Sequence, residues 1–259
     1  MSGRIECTRE GQIATVTIAN AKRRNALSSE MWGALGTVFR ELSADDDVRC
    51  IILTGEGDRA FASGADISTF QKERKDLASG IAYGRIAETT IFEIANCRHP
   101  IVAAIRGACV GGGLEVAVLC DIRISGKSGR FGIPAMKLGL NVSLVELPGL
   151  LAVVGQAVAL EILLEGRLFD ADEALQKRLV NRVVEDDAVM QEAMESAQRI
   201  SAGAPLVARW HKQFVRRLQS GAVPTQEEIV NSYACFGTED FQIGTRAFIA
   251  KEQAIFTGR

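Results

Sequence analysis

Gly107-Ala108-Cys109-Val110-Gly111-Gly112-Gly113-Leu114-Glu115 carries the strongest structural signal in the chain. Small and β-branched residues run out to Val110, three glycines follow, and an apolar residue and an acid come next, so a strand ends where a helix begins. The first N–H groups of a helix lack intrahelical acceptors, and glycines let another group approach them closely. A second stretch, Ala60-Phe61-Ala62-Ser63-Gly64-Ala65-Asp66-Ile67, has small residues at the end of a strand and loop, just before a polar helical run. Singly, each reads equally well as tight packing. The first lacks the Lys-Ser/Thr ending of a phosphate-binding P-loop, neither fits GxGxxG, and the chain contains no GxSxG nucleophile elbow.

Outward from these corners the pattern is α/β. Upstream, residues 5–8 and 13–18 alternate around Glu10-Gly11 and read as a hairpin. Ser28 or Ser29 caps a helix through Met31, Leu35, Val38, Phe39 and Leu42, which Asp45-Asp46-Asp47 ends. Residues 50–54 and 101–105 are compact apolar strands stopped by glycine. Downstream come a helix from about Gly112, a strand around residues 121–125 and amphipathic helices from about Leu144. After Ser201 only helices are expected, over 205–218, 226–236 and 240–256, so the division is a core at 1–200 and a helical module at 201–259.

Composition narrows the function classes. At 259 residues and 47% apolar, the chain can bury a substantial core, and a formal charge of −2 argues against a nucleic-acid partner despite Lys22-Arg23-Arg24 and Arg216-Arg217. Cys7, Cys50, Cys97, Cys109, Cys120 and Cys235 are scattered without CxxC spacing and read as reduced thiols. His99 and His211, the two histidines, read as structural or surface residues and leave neither a zinc set nor a Ser-His-Asp triad, so no metal is expected. The opening MSGRIECTRE has no apolar signal region and no uninterrupted apolar stretch reaches membrane length; a cytoplasmic location with no membrane partner is the expectation.

The two corners together resemble the crotonase family, the enoyl-CoA hydratase/isomerase superfamily, and the similarity spans nearly the whole chain. It begins at Arg24-Asn25-Ala26-Leu27-Ser28, continues through both corners to Cys120-Asp121-Ile122-Arg123, and resumes at Phe131-Gly132-Ile133-Pro134, Leu138-Gly139-Leu140, Leu164-Glu165-Gly166-Arg167, Ala171-Asp172-Glu173-Ala174 and the ending around Phe256-Thr257-Gly258. The resemblance implies a crotonase-like spiral of ββα units, a C-terminal helical trimerisation module, and a homotrimer or dimer of trimers. It implies an acyl-CoA thioester substrate, with coenzyme A entering as part of the substrate and no prosthetic group. The N–H groups of Ala65 and Gly112 would grip the thioester oxygen, whose negative charge in an enolate two preorganised donors stabilise by about 3 kcal/mol each.

Glu115, one helical turn beyond Gly112, is the candidate base, and it falls on the glutamate that activates water in family hydratases; the competing reading is an ion pair with Arg123. The pattern breaks at Ala135, where family hydratases carry a second glutamate, also used by isomerases, that protonates the α-carbon. Glu146 is the candidate replacement, against a solvated first-turn glutamate, and Ser143 is a candidate cap of the same helix. For coenzyme A, Arg23, Arg24 and Lys251 of the last helix are candidate phosphate contacts, against solvated surface cations, with Ala26 beside them, and the resemblance implies backbone around Ala62, Gly64, Asp66 and Ile67. Hydration leads. Isomerisation, lyase, decarboxylase or thioesterase chemistry needs the same held oxygen, and the loss at Ala135 leaves room for a binding subunit without turnover.

Overall fold

The computed structural model describes residues 3–219 and 221–259. The chain opens with a hairpin, β1 (Arg4–Glu10) antiparallel to β2 (Ile13–Ala19), turning at Gly11, whose φ of 57° costs glycine nothing. Ser28 caps α1 (Ser29–Ala44) by accepting from the Met31 N–H at 3.3 Å, and Asp45 leaves helical geometry. Then strand pairs alternate with helices. β3 (Cys50–Gly55) and β4 (Ala60–Ala62) precede a short α2 (Phe70–Glu73) and α3 (Leu77–Asn96). β5 (Ile101–Ile105) and β6 (Ala108–Val110) precede α4 (Gly112–Ala117). β7 (Ile122–Gly126) and β8 (Arg130–Gly132) precede a 3₁₀ turn, Pro134–Leu138, and α5 (Leu147–Glu165). β9 (Phe169–Asp170), α6 (Ala171–Gln176), β10 (Arg182–Val184) and α7 (Val189–Ser201) follow. The end is helical: α8 (Pro205–Gln219), α9 (Gln226–Asn231) and α10 (Glu239–Ala250).

The members of each strand pair go to different sheets. A six-stranded sheet has the order β1-β2-β3-β5-β7-β10, and a four-stranded sheet has β4-β6-β8-β9. All pairings are parallel except β1 with β2 and β8 with β9. Each step from the large sheet to the small one is a sharp corner, and at Gly107 (φ 62°) a Cβ would stand 2.1 Å from the Arg59 carbonyl oxygen, so no other residue fits. Repetition of strand, corner, strand and helix makes a mixed α/β spiral of ββα units.

The middle of the large sheet is buried on both faces, which is why β3 and β5 read as unbroken apolar runs, while the edge strand β1 is largely exposed. Ile51, Leu53, Ile101, Ala103 and Ile105 point into the core shared with α1, α3 and the small sheet, while Cys50, Ile52, Val102 and Ala104 meet Val189, Ala193 and Ala197 of α7. All six cysteines are free and four are buried. His99 is buried, its Nε2 3.0 Å from the Asp45 carbonyl oxygen, and burial with nearby arginines lowers its pKa to about 4.

Three expectations need correction. α5 is not amphipathic: Leu150, Ala159 and Ile162 are buried, but Leu151, Leu160 and Leu164 are exposed, so apolar residues surround the helix. Although Gln156 and Glu161 interrupt it and Gly155 (φ 73°) breaks its geometry, it is long and apolar enough to cross a membrane by length and composition. The helix expected over 226–236 is two pieces, α9 and a 3₁₀ turn at Ala234–Gly237. The last helix stops at Ala250, and Lys251 is its left-handed cap (φ 57°). Beyond it the chain folds back: the buried Asp240 carboxylate accepts the Thr257 N–H at 2.7 Å and the Gly258 N–H at 3.0 Å, which holds the tail against α10. Arg49 on the core donates to the Phe256 carbonyl at 2.5 Å, and Asp121 pairs with Lys212 of α8 at 2.7 Å, tying the helical end to the sheet.

Candidate active site

The two glycine-rich corners meet. Gly111 (φ 52°) donates its N–H to the Gly132 carbonyl at 2.9 Å and lets β6 turn directly into α4. A Cβ on Gly113 would lie 2.1 Å from the Ala62 carbonyl oxygen, so α4 can pack on β4 only with glycine there. Gly64 (φ 98°) closes the gap from the other side, where a Cβ would lie 3.0 Å from the Val110 oxygen and 3.4 Å from the Gly112 nitrogen.

This packing leaves two amides unspent. Leu27 bridges to the β4 extension by accepting the Asp66 N–H at 2.9 Å and donating to the Gly64 carbonyl at 2.8 Å, so the intervening Ala65 N–H points away from that bridge. Gly112 begins α4 and its N–H has no helical acceptor. Neither N–H has a protein acceptor among the described residues, and both residues line one cavity of about 130 Å³. That volume is well below the several hundred Å³ of pockets that enclose a drug-sized ligand.

Glu115 lines the same cavity one turn along α4. Burial first, and then the carboxylate of Glu146, push its carboxyl up to about 8, while Arg74 acts in the opposite direction. The alternative ion pair is not made: Arg123 donates to the Leu179 carbonyl at 2.7 Å and to the Cys120 carbonyl. Glu146 flanks the start of α5 and also lines the cavity, its Oε2 accepting the Ser143 N–H at 2.6 Å. Ser143 does not cap through its side chain, because its hydroxyl is buried without a partner; the capping contact runs from the Glu146 carboxylate back to the Ser143 amide. Ala135 lines the same cavity, so a methyl group and two acidic side chains share that space with the free amides.

The family model for enoyl-CoA hydratase/isomerase matches residues 8–259. This chain belongs to that family. It is 34% identical to the short-chain-enoyl-CoA hydratase of Clostridium acetobutylicum, over 95% of this chain and 94% of the relative. An enoyl-CoA hydratase/carnithine racemase structure from Magnetospirillum magneticum superposes with a TM-score of 0.96 at 47% identity, covering 98% of this chain and 96% of the other. A family protein from Hyphomonas neptunium superposes with a TM-score of 0.94 at 36% identity, with 98% of each chain covered. The ββα spiral is therefore the crotonase fold.

Within this enoyl-CoA hydratase/isomerase chain, the residues expected against coenzyme A are only partly gathered. Gly64 and the 60% exposed Ile67 line the cavity, and Ala62 is buried in β4 and does not line it. Asp66 accepts the Ser68 N–H at 3.0 Å and pairs with Arg23 at 2.6 Å, so Arg23 is already bound to the loop it borders. Arg24 adopts left-handed geometry (φ 51°), faces solvent and does not line the cavity. Ala26 is buried, donating to the Arg23 carbonyl at 3.1 Å, and Lys251 sits on the exposed helix cap away from the cavity lining. Trp32, Phe70, Arg74 and Tyr83, none of which the sequence singles out, line the same cavity. The sequence reading also missed the role of Asn25, buried at a φ of 56°, whose amide donates to the Ala60 carbonyl at 2.6 Å and the Glu56 carbonyl at 3.0 Å and so fixes the loop leading into β4.

Proposed function

We propose that this enoyl-CoA hydratase/isomerase family member hydrates a short enoyl-CoA thioester, with Ala65 and Gly112 as the oxyanion hole and Glu115 as the base. The observation that carries the reading is the convergence of two unspent backbone N–H groups and a buried carboxyl on one small cavity. The thioester oxygen sits between the two N–H groups. Glu115 takes a proton from water as its oxygen bonds to the β-carbon, and the electron pair of the double bond moves onto the held oxygen as an enolate. Collapse of the enolate needs one proton at the α-carbon. Ala135 has none to give, so the proton that Glu115 took from water passes to Glu146, the other acidic group lining the cavity, which delivers it and returns both carboxyls to their starting states. Water is thereby added across the double bond with no other reactant.

The one buried carboxyl of Glu115 also supports a second reading, isomerisation by a single group that removes a proton on one side of the enolate and returns it on the other. Exposed apolar side chains on α5 and on the helical end, including Leu164, Phe236 and Phe248, support assembly of residues 201–259 and α5 into a homotrimer or dimer of trimers. Glu115→Gln, assayed with enoyl-, 3-hydroxyacyl- and malonyl-type thioesters while coenzyme A binding is measured, tests the assignment. Loss of turnover with binding retained is expected. Unchanged turnover removes Glu115 from the reaction, and binding by the unmodified protein without any turnover makes the chain a binding subunit.

A further inference from the structure

The cavity that Glu115 lines also carries donors that the hydration scheme does not use. Trp32 Nε1, Arg74 Nε and Tyr83 Oη are each buried with no hydrogen-bond partner, and all three residues line the cavity. The Tyr83 hydroxyl has Arg74 and Trp32 as polar neighbours, yet it meets hydrogen-bond geometry with neither. The three come from separate elements, since Trp32 lies in α1, Tyr83 in α3, and Arg74 immediately follows α2. The Arg74 guanidinium carbon lies 3.7 Å from the centre of the Tyr83 ring and 4.2 Å from that of Phe70. Two aromatic faces fix the cation in place while leaving its in-plane N–H fork free, the arrangement in which arginine presents a bidentate site.

No ion pair among the described residues neutralises this charge. The neighbouring Glu73 accepts the Thr69 hydroxyl at 2.7 Å, Glu146 accepts the Ser143 amide, and Glu115 is held largely protonated at neutral pH. An acyl pocket meant for a plain hydrocarbon chain has no use for three buried, unsatisfied donors, because each loses its hydration and gains nothing. A carboxylate offers two oxygens with about four lone pairs and can satisfy all of them at once.

We propose that Arg74, Trp32 and Tyr83 form a subsite for a carboxylate carried on the acyl group, so that the substrate is the enoyl thioester of a dicarboxylic acid. This rests on the reading that the cavity holds the acyl group of a coenzyme A thioester.

The test is equilibrium binding of two unreactive saturated thioesters, glutaryl-CoA and butyryl-CoA, with free coenzyme A alongside, to the full chain and its variants. The unmodified protein should bind glutaryl-CoA about 30-fold more tightly than butyryl-CoA, the size expected for a charge-assisted, bidentate contact. Arg74→Leu should bring the two within about threefold, Arg74→Lys should retain part of the preference, and Tyr83→Phe should reduce it about threefold. Equal binding of both thioesters by the unmodified protein overturns the proposal. So does an Arg74→Leu variant that loses free coenzyme A and butyryl-CoA as much as glutaryl-CoA, because Arg74 is then a coenzyme A contact. A glutaryl preference without turnover of any enoyl thioester refutes hydration and leaves the subsite standing; hydration of crotonyl-CoA without a glutaryl preference does the reverse.

Discussion

If Glu115 is the base, activity must follow its ionisation. With the carboxyl held near 8, about one molecule in a hundred carries the carboxylate at pH 6, so kcat/KM should rise about tenfold per pH unit from 6 and level off above about 8.5. Glu146→Gln removes one of the two influences that raise Glu115 and should move the inflection to lower pH. The same protonation has an opposite signature in stability. The folded chain keeps the Glu115 proton up to about pH 8, whereas the unfolded chain releases it near 4.5, so the folded state is at its best below 4.5 and loses ground as pH rises toward 8. At about 1.4 kcal/mol per pH unit the loss across that window is at most about 5 kcal/mol. Glu115→Gln does not titrate, so urea unfolding should show it gaining on the unmodified protein by several kcal/mol between pH 5 and pH 9, while turnover falls by about 10²–10⁴. A flat rate profile between pH 6 and 9, or a stability gap independent of pH, would refute the assignment.

Gly112→Ala places a Cβ 2.9 Å from Trp32 Cζ2 and must displace the first turn of α4; kcat/KM should fall by about 10²–10³ in steady-state assays with coenzyme A binding retained. Asn25→Ala strips the buried Ala60 and Glu56 carbonyls and the Asn20 N–H of their partners and puts alanine at a φ of 56°, and should cost about 3 kcal/mol in urea titration. Asp240→Ala frees the Thr257 and Gly258 amides, so limited proteolysis should cut beyond Lys251 faster than in the unmodified chain.

What the sequence made legible was local. The Ser28 cap, the Gly11 turn and the apolar runs of β3 and β5 carry their signals within a few residues, and both glycine corners announce themselves by composition. β4, β6 and β8 are only three residues each and exist because they pair with strands distant in the chain, so no periodicity marks them. The helical period around Lys251 runs on, yet the backbone breaks there because the tail's amides find Asp240. Glu115 was readable from its distance to Gly112. The wall of Trp32, Arg74 and Tyr83 was not, since three separate elements assemble it and each residue alone looks like an ordinary core or surface side chain.

The central claim is that one thioester oxygen is held by the N–H groups of Ala65 and Gly112 beside Glu115. A crystal structure of the Glu115→Gln variant with a bound enoyl-CoA tests it most directly. The thioester oxygen should lie about 2.7–3.1 Å from both nitrogens, with the carboxamide introduced by that substitution within about 3.5 Å of a water or of the acyl α- or β-carbon. A thioester oxygen bound away from either nitrogen, with the acyl chain outside the cavity, would contradict it.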